Sequence, residues 1–284
     1  MAAMKSKNIL KPSFLIIGGV KCASSSLYRY LNDHPQVLPC RVKEPGYFNF
    51  TNPLVLLKKY RSYINKFPDL NQAKAIGDWI ELEGDGTLSE SKFEKLIHPD
   101  VDYITGEATA TTMVRANPKI VKRIFPKVKI IALVRNPTDR LISHYQMFKR
   151  FDEDGRKGND VGSLQEFINR ELENLDAGKR TKALEQGFYT NYLSRWQQSF
   201  GDSLTVISSD SLQGATSNST LNWLAKSLEI DNHDFSQITQ QRFNQNRTAM
   251  TVEPSLRVQL DEIYHPFNEE LLDAYGIDFL TDRN

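Results

Sequence analysis

Cysteine and long hydrophobic runs are both scarce in this sequence of 284 residues. A membrane-spanning helix needs about 20 consecutive apolar residues. The apolar stretch at residues 14–20 is ended by Lys21 and reaches only the lower limit for a signal peptide. Cys22 and Cys40 are the only cysteines, which excludes a disulfide framework and favours two free thiols in a reducing compartment. We therefore expect a soluble chain in the cytoplasm, without a transmembrane segment.

Excess charge of one sign is lacking as well. Lys and Arg number 36 against 35 Asp and Glu, a formal net charge of +1, so no general attraction to nucleic acid or to an anionic membrane is expected. Positive charge for an anionic ligand must therefore be concentrated locally. No spacing of histidine, cysteine and carboxylate residues suggests a metal site, and no metal is predicted. The length suits one domain, expected to cover residues 1–284.

Short apolar runs alternate with helical patterns along the chain. Residues 14–17 are apolar and are followed by Gly18-Gly19, residues 129–134 form a second run, and residues 204–207 form a third. Runs of this length predict strands that are covered on both faces, and helical spacing follows the first two. The alternation predicts an α/β fold with a P-loop-like central parallel β-sheet flanked by helices on both faces.

Some boundaries of the other elements can be predicted too. Asn136 before Pro137 is typical of a helix start. A long helix is expected from Pro254, with an interruption near Pro266, because proline removes a backbone donor. Residues 51–100 have weak periodicity and are expected to form loops and short helices.

The segment after the first predicted strand has the composition of a phosphate-binding loop. Glycines permit a tight turn, small side chains let phosphate oxygens approach the N–H groups of a helix N-terminus, and hydroxyls and a lysine add hydrogen bonds and charge. The candidate residues are Gly18, Gly19, Lys21, Cys22, Ala23, Ser24, Ser25 and Ser26. This is not a Walker A loop, because Lys21 precedes Ser24 by three positions and has no glycine directly before it. An ordinary strand-to-helix connector would have a similar sequence.

A second segment follows the second predicted strand and reaches the same edge of the predicted sheet. Arg135 ends that strand, and Ser143 lies about two turns into the next helix. A guanidinium fork suits a phosphate group, and a serine hydroxyl can add a hydrogen bond. Taken alone, this segment is equally typical of a helix start with Asp139 and Arg140 as solvated charges.

Together the two segments resemble the sulfotransferase family that uses 3′-phosphoadenosine 5′-phosphosulfate (PAPS). The sequence IGGVKCASSSL at residues 17–27 is similar to the family's 5′-phosphosulfate loop, and VRNPTDRLISHY at residues 134–145 is similar to its 3′-phosphate motif. The resemblance implies that residues 21–26 hold the 5′-phosphosulfate and that Arg135 and Ser143 hold the 3′-phosphate. It also implies sulfuryl transfer to an acceptor hydroxyl or amine, with 3′,5′-ADP (PAP) as product.

Other stretches extend the resemblance to the carbohydrate sulfotransferases, in particular the heparan sulfate 3-O-sulfotransferases. These stretches are KEPGYF at residues 43–48, GEAT at residues 106–109, and GFY at residues 187–189 with Leu193 and Trp196. The chain departs from the family where Cys22-Ala23 replaces a glycine pair and where Ala110 replaces a proline. Cys22, beside Lys21 and a helix N-terminus, is a candidate for an activated thiol. Residues 242–247 are a candidate for the family's C-terminal nucleotide loop.

Sulfuryl transfer requires charge stabilisation at the leaving group and a base for the acceptor's proton. Lys21 is the candidate for stabilising the leaving 5′-phosphate. Glu44 is the candidate base, because the aromatic residues that follow it predict partial burial and a raised carboxylate pKa. His34, His144 and His265 are rival bases, and a Glu44 that only pairs with a neighbouring cation on the surface is the alternative.

Two other functions share parts of this pattern. A P-loop nucleotide kinase would have the same strand–loop–helix opening, but it needs a Walker A lysine and a magnesium site. A non-catalytic nucleotide-binding protein with a decayed site is less well matched, because Lys21, Glu44, Arg135 and Ser143 are all present. The acceptor stays open between a small molecule, a glycan, and a lipid or polyketide-type hydroxyl, and the oligomeric state stays open too.

Overall fold

The computed structural model describes residues 10–49, 53–69, 80–82, 88–90, 101–155, 161–241, 250 and 252–280. The strands form a five-stranded parallel sheet and a separate antiparallel pair. Their bounds are β1 (Phe14–Gly18), β2 (Val37–Pro39), β3 (Ile80–Leu82), β4 (Leu88–Glu90), β5 (Ile104–Ala108), β6 (Lys129–Val134) and β7 (Leu204–Ser208). The order across the main sheet is β2-β5-β1-β6-β7. The predicted α/β fold with a central parallel sheet is confirmed.

Helices follow most of the strands. Their bounds are α1 (Ser24–Asp33), α2 (Pro53–Ile64), α3 (Thr112–Arg115), α4 (Pro118–Ile124), α5 (Pro137–Glu153), α6 (Leu164–Asp176), α7 (Tyr189–Phe200), α8 (Ser217–Ser227), α9 (Ser236–Thr239) and α10 (Pro254–Tyr275). Within the described ranges, none of the helices combines the length and the apolar character that crossing a bilayer requires. The candidate nucleotide loop at residues 242–247 lies outside the described residues.

Helix α5 begins as its sequence predicts. The side chain of Asn136 accepts the backbone N–H of Asp139 at 3.0 Å, and Pro137 occupies the first turn. The predicted interruption of α10 near Pro266 is wrong, because the helix continues through this residue to Tyr275. Proline costs the helix one hydrogen bond, but the helix is packed against the rest of the protein on both sides of Pro266, through the buried residues Tyr264 and Asn268.

Strand β5 lies between β2 and β1, although its sequence has no apolar run. Its residues Thr105, Gly106 and Glu107 are buried in the sheet. The hydroxyl of Thr105 donates to the carbonyl oxygen of Leu38 at 2.5 Å, and Gly106 leaves room for the ring of Phe14, which a Cβ at this position would overlap. The hydroxyl of Thr105 is hydrogen-bonded, and the missing side chain of Gly106 makes room for a neighbour. Strand β5 can therefore lie between two other strands without the run of apolar residues by which a buried strand is predicted.

The strand order brings the two candidate segments to one place. Strand β1 pairs with β5 on one side and with β6 on the other. Along the chain, β2 and β5 come first and lie on one side of β1, and β6 and β7 come later and lie on its other side. Ligands of α/β sheets bind at the carboxyl ends of the strands where this direction reverses. In this sheet the reversal lies between β1 and β6.

Candidate functional site

The turn after β1 is pressed between the ends of the neighbouring strands. Gly18 has a φ of 121°, and a Cβ there would overlap the carbonyl oxygen of Ala110, which follows β5. The backbone N–H of Gly19 donates to the carbonyl oxygen of Leu133 on β6 at 2.6 Å. Only glycine suits position 18, because both the backbone angle and the space exclude a side chain. The phosphate loop, residues 18–26, is therefore anchored to both neighbours of β1.

The phosphate loop curves into the N-terminus of α1. Lys21 and Ala23 adopt left-handed backbone conformations, with φ of 67° and 64°. Ala23 occupies the N-cap position and has no side-chain acceptor for the N–H groups of the first turn, which begins at Ser24. The serine at position 24 is buried, whereas those at 25 and 26 are half-buried. Free N–H groups, hydroxyls and the positive end of the helix dipole can together hold a phosphate or sulfate group.

The side chain of Cys22 belongs to the hydrophobic core. Its side chain is fully buried, and its Sγ lies 3.4 Å from the hydroxyl of Tyr189 on α7. Burial raises the pKa of the Cys22 thiol, against the smaller opposing effect of that hydroxyl. The interpretation of Cys22 as an activated thiol is therefore wrong.

Tyr189 joins the phosphate loop to the segment that begins at Arg135. The tyrosine hydroxyl donates to the carbonyl oxygen of Arg135 at 2.9 Å and accepts the N–H of the same residue at 3.3 Å. Burial raises the pKa of Tyr189 well above its usual value, so the hydroxyl keeps its proton and goes on donating. Tyr189 belongs to the GFY stretch of the sequence, but no pattern in that stretch predicts this contact.

Three cationic side chains interact beside the phosphate loop. Burial lowers the pKa of Lys21, and the positive charges of Arg150 and Arg135 lower it further. An anion bound among these groups would relieve their mutual repulsion. Arg150 was not predicted from the sequence, although it lies seven residues after Ser143 on α5 and so falls on the same helix face.

Arg140 and Ser143 are both buried on α5. The Nη2 of Arg140 donates to the carbonyl oxygen of Ala183 at 2.7 Å, and its Nη1 lies 3.3 Å from Nδ1 of His144. Arg140 is therefore a buried cation and not the solvated charge of a plain helix start. It ties α5 to the chain segment that precedes α7.

Glu44 lies in an exposed turn with a φ of 48°. The expected partial burial of its carboxylate is therefore wrong. The turn is attached to the sheet edge by its neighbours: the N–H of Gly46 donates to Thr109 Oγ1 at 3.3 Å, and Nδ2 of Asn49 donates to Thr111 Oγ1 at 2.9 Å. Both threonines follow β5, so the Glu44 turn, residues 44–46, shares this edge with the phosphate loop.

A second carboxylate, Glu107, is buried on β5 with 1% of its surface exposed. Burial raises the pKa of Glu107 to about 7, the hydrogen bond from Thr109 lowers it, and the negative charge of Glu44 raises it. The hydroxyl of Thr109 donates to Oε2 of Glu107 at 2.6 Å. The sequence placed Glu107 in the GEAT stretch but supplied no role for it.

His144 is a poor base in this environment. Burial, followed by the positive charges of Arg140 and Lys21, lowers the pKa of His144 to about 3. The imidazole is therefore neutral near pH 7 and takes up a proton only reluctantly.

The other two histidines predicted as rival bases, His34 and His265, have structural surroundings. In His34, Nε2 lies 2.8 Å from the carbonyl oxygen of Asp231 and Nδ1 accepts the N–H of Gln36 at 3.0 Å, so both ring nitrogens are occupied. His265 lies on α10, where it faces Glu269 one turn away. Neither contact involves the phosphate loop.

A pocket of about 450 Å³ opens beside α5. We call it the α5 pocket. Its wall includes Val20 of the phosphate loop, Thr111 beside the Glu44 turn, and His144 and Phe148 of α5. These contacts place the pocket next to the candidate anion site.

One wall of the α5 pocket is basic, and hydrogen bonds to a carboxylate outside the pocket fix its position. Arg115, Arg180 and Lys182 line the pocket together with one carboxylate, Glu185. Behind this wall the buried carboxylate of Glu171 accepts three backbone N–H groups, those of residues 182, 183 and 184, at 3.0, 2.6 and 2.8 Å. The wall that carries Arg180 and Lys182 is therefore fixed to α6.

A larger groove of about 610 Å³ lies along β7, beside Trp223 and Asp278. No residue of the phosphate loop lines it, so it is separate from the candidate site. In the described parts of the chain, no three histidine, cysteine, aspartate or glutamate side chains are grouped as metal ligands.

The sequence of the chain is similar to those of known proteins. Residues 12–192 match the profile described as Sulfotransferase family. Carbohydrate sulfotransferase 15 of Mus musculus is 28% identical over 234 residues, which cover 70% of this chain and 39% of that protein. Bifunctional heparan sulfate N-deacetylase/N-sulfotransferase 1 of Mus musculus is 26% identical over 196 residues, 66% of this chain and 19% of that protein. The chain thus spans less than half the length of these relatives.

The fold has a counterpart among solved structures. A sulfotransferase from Alicyclobacillus acidocaldarius superposes with a TM-score of 0.63 at 22% identity, covering 95% of this chain and 98% of that one. The sequence match to the family covers more than half of the chain and includes both the phosphate loop and the segment from Arg135 to Ser143. This chain belongs to the sulfotransferase family.

Proposed function

We propose that this protein, acting as a single domain, transfers a sulfuryl group from PAPS to a hydroxyl or amine of an acceptor. The observation that carries the proposal is the contact of one buried hydroxyl, that of Tyr189, with both Cys22 of the phosphate loop and the backbone of Arg135. It holds two cation-bearing segments at a set separation. A ligand with two separate anionic groups matches such a pair, and PAPS has a 5′-phosphosulfate and a 3′-phosphate.

The residues of both segments suit these two groups. Lys21, the backbone of Cys22 and Ala23, and the N–H groups and hydroxyls of Ser24, Ser25 and Ser26 would bind the 5′-phosphosulfate. Arg135 and Ser143 would bind the 3′-phosphate, with a charge-assisted hydrogen bond from the guanidinium. The lowered pKa of Lys21 supports this fit, because after burial its causes are the positive charges of Arg150 and Arg135, which a bound anion would offset.

Lys21 and Glu44 have separate roles in the proposed reaction. Bound PAPS supplies the sulfuryl group: its S–O bond to the 5′-phosphate breaks, the phosphate keeps the electron pair, and a new S–O or S–N bond forms at the acceptor. Lys21 stabilises the negative charge that grows on the leaving phosphate oxygen. Glu44 accepts the proton that the acceptor loses, a contribution of about 10²–10⁴-fold for a well-placed base.

The α5 pocket is the place we propose for the acceptor. Its basic residues, Arg115, Arg180 and Lys182, suit an acceptor with negative charge, and the rings of Phe148 and Tyr192 offer flat apolar faces. The relatives named above are a carbohydrate sulfotransferase and a heparan sulfate N-sulfotransferase. An acidic glycan is therefore the acceptor class that we propose. A neutral lipid or polyketide hydroxyl would leave the basic wall without a partner.

The remaining features are in keeping with this proposal. A nucleotide kinase is disfavoured, because the spacing of Lys21 and Ser24 differs from a Walker A loop. A cytoplasmic location is proposed on the two buried free thiols, which suit a reducing compartment.

Binding and transfer assays test the proposal in sequence. Calorimetric titration should show that 3′,5′-ADP binds without magnesium, and magnesium-dependent ATP binding in its place would contradict the proposal. Transfer of labelled sulfate from PAPS is then followed on heparosan, chondroitin, a neutral dextran and a long-chain alcohol. We expect transfer to an acidic glycan, a loss of about 100-fold or more in Lys21→Ala, and loss of transfer with retained 3′,5′-ADP binding in Glu44→Gln. Full activity of Glu44→Gln would remove Glu44 as the base.

A further inference from the structure

The hydroxyl of Thr109 lies between the buried Glu107 and the exposed Glu44 turn. It donates to Oε2 of Glu107 at 2.6 Å and accepts the N–H of Gly46 at 3.3 Å. The backbone N–H of Thr109 donates to the carbonyl oxygen of Ile16 on β1 at 3.1 Å, so the hydroxyl is presented from the rigid end of the sheet. Two consecutive hydrogen bonds thus connect Glu107 to the turn that carries Glu44.

We propose that Glu107 is a positioning residue that acts on Glu44 through Thr109. The inference rests on the proposed function, in which Glu44 takes the acceptor's proton. Glu44 has a φ of 48°, a conformation that a glutamate keeps only when its surroundings hold it. The bond from the N–H of Gly46 to Thr109 is one contact that holds it. An ionised Glu107 can only accept hydrogen bonds, so it fixes the proton of the Thr109 hydroxyl and leaves a lone pair of that oxygen for Gly46.

The two carboxylates also act on each other through charge. After burial, the negative charge of Glu44 is a cause that raises the pKa of Glu107, so the two groups are close enough to repel each other. This repulsion favours a Glu44 side chain that is turned away from β5 and towards solvent. The structure shows Glu44 exposed. Within the described part of the chain, the other ionisable groups that act on Glu107, or that Glu107 acts on, are Tyr28, Cys40, Tyr63 and Lys66. Burial raises the pKa of the cysteine and both tyrosines, which leaves them neutral.

Both effects depend on the charge of Glu107. With a pKa of about 7, this carboxyl changes charge near neutral pH. Once protonated, it can itself donate to Thr109, the proton of the threonine hydroxyl is no longer fixed, and the repulsion of Glu44 is lost. We therefore expect kcat to fall as the pH drops through about 7.

Threonine variants on β5 and beside it test the connection. The panel consists of Thr109→Val, which removes both hydrogen bonds, Thr109→Ser, which restores them, and Thr105→Val, a matched control that loses a buried hydroxyl bonded to Leu38. Hydrogen exchange of residues 44–49 reports the turn without any acceptor, and kcat is measured on chondroitin and heparosan with PAPS. In Thr109→Val we expect exchange that is about tenfold faster and a kcat that is lower by about 10- to 100-fold. The affinity for 3′,5′-ADP should stay within about twofold, and Thr109→Ser and Thr105→Val should match the wild type in exchange and kcat.

The variant Glu107→Gln tests the role of charge. Its amide oxygen accepts from Thr109 at every pH, so the fall of kcat below about pH 7 should disappear. The inference is overturned if Thr109→Val keeps the wild-type exchange or kcat, if Glu107→Gln keeps the acid limb, or if 3′,5′-ADP binding falls together with kcat. Failure of the proposed function looks different: the wild type would not bind 3′,5′-ADP, or Glu44→Gln would stay fully active.

Discussion

The hydroxyl of Tyr189 contacts both backbone groups of Arg135, donating to its carbonyl oxygen at 2.9 Å and accepting its N–H at 3.3 Å. Strand β6 ends one residue earlier, at Val134. The hydroxyl of the buried Tyr189 therefore supplies the hydrogen-bond partner that strand pairing no longer provides to the backbone of Arg135. The same hydroxyl lies 3.4 Å from Sγ of Cys22. The separation of the two candidate anion-binding segments is therefore set by a contact within the core of the protein.

Removing this hydroxyl should loosen both segments. In Tyr189→Phe we expect the free energy of unfolding to fall by about 1–3 kcal/mol, because partly buried backbone groups lose a partner. The affinity for 3′,5′-ADP should weaken by about five- to tenfold, equivalent to roughly 1 kcal/mol. Urea unfolding and calorimetric titration measure the two effects. The control Tyr275→Phe removes a half-buried hydroxyl from the end of α10 and should change neither value. An unchanged nucleotide affinity in Tyr189→Phe would mean that the segments keep their spacing without it.

Arg135 should contribute to nucleotide affinity only by binding the 3′-phosphate. Arg135→Ala is expected to weaken 3′,5′-ADP binding by about 10- to 100-fold, the value of a charge-assisted hydrogen bond. The affinity for 5′-AMP, which lacks the 3′-phosphate, should change by less than about twofold. Arg123→Ala, an exposed arginine on α4, is the control for the loss of one positive charge. Equal losses for the two nucleotides would place Arg135 outside the 3′-phosphate site.

Some of this site could be predicted from the sequence because its signals are local. The apolar runs of β1 and β6 and the small residues and charges that follow them are each contained in about ten consecutive residues. The contact between Tyr189 and Arg135 is different, because it joins residues 54 positions apart. No local pattern distinguishes this tyrosine from others of the chain, so its role became visible only once α7 was placed against β6.

Burial is the other property that local patterns predicted poorly. Glu44 is followed by aromatic residues and was expected to be partly buried, but it is exposed in a turn. Glu107 lies in a polar stretch that predicted no strand, and it is buried on β5, which has a neighbouring strand on each side. The environment of a carboxylate depends on which strands flank it, and the order of the strands cannot be predicted from the spacing of residues along the sequence. Pro266 shows the same limit for helices, because packing overrode a local signal to stop.

Substitution of Glu171 should weaken the binding of the acceptor and leave the binding of the donor nucleotide unchanged. Its carboxylate accepts three backbone N–H groups from the wall of the α5 pocket, and Glu171→Gln puts an amide donor against at least one of them. We expect a loss of about 2–3 kcal/mol in the free energy of unfolding and a raised KM for the glycan acceptor. The affinity for 3′,5′-ADP should stay unchanged. Glu173→Gln, an exposed residue of the same helix, is the control. A loss of 3′,5′-ADP binding in Glu171→Gln would contradict the placement of this wall on the acceptor side.

The stability of the protein should depend on pH through Glu107. Its pKa is about 7 in the folded protein, against 4.5 for an unperturbed carboxyl. The folded state therefore keeps a proton that the unfolded chain releases, and stability falls as the pH rises from about 4.5 to 7 and stays low above that. The effect is on the order of 3 kcal/mol. Urea unfolding should show Glu107→Gln gaining stability relative to the wild type between about pH 4.5 and 8. Glu262→Gln, exposed on α10, should run parallel to the wild type.

Both thiols should be unreactive while the protein is folded. Cys22 and Cys40 are buried, and burial raises the pKa of both thiols, that of Cys40 to about 12. The thiolate is the reactive form, so N-ethylmaleimide at neutral pH should label neither residue before urea is added and both afterwards. Ser194→Cys, on the exposed side of α7, provides a reactive reference thiol, and Cys40→Ser isolates the signal of Cys22. Rapid labelling of Cys22 in that folded variant would show that its side chain faces the cradle, and protection by 3′,5′-ADP would then place it against the nucleotide.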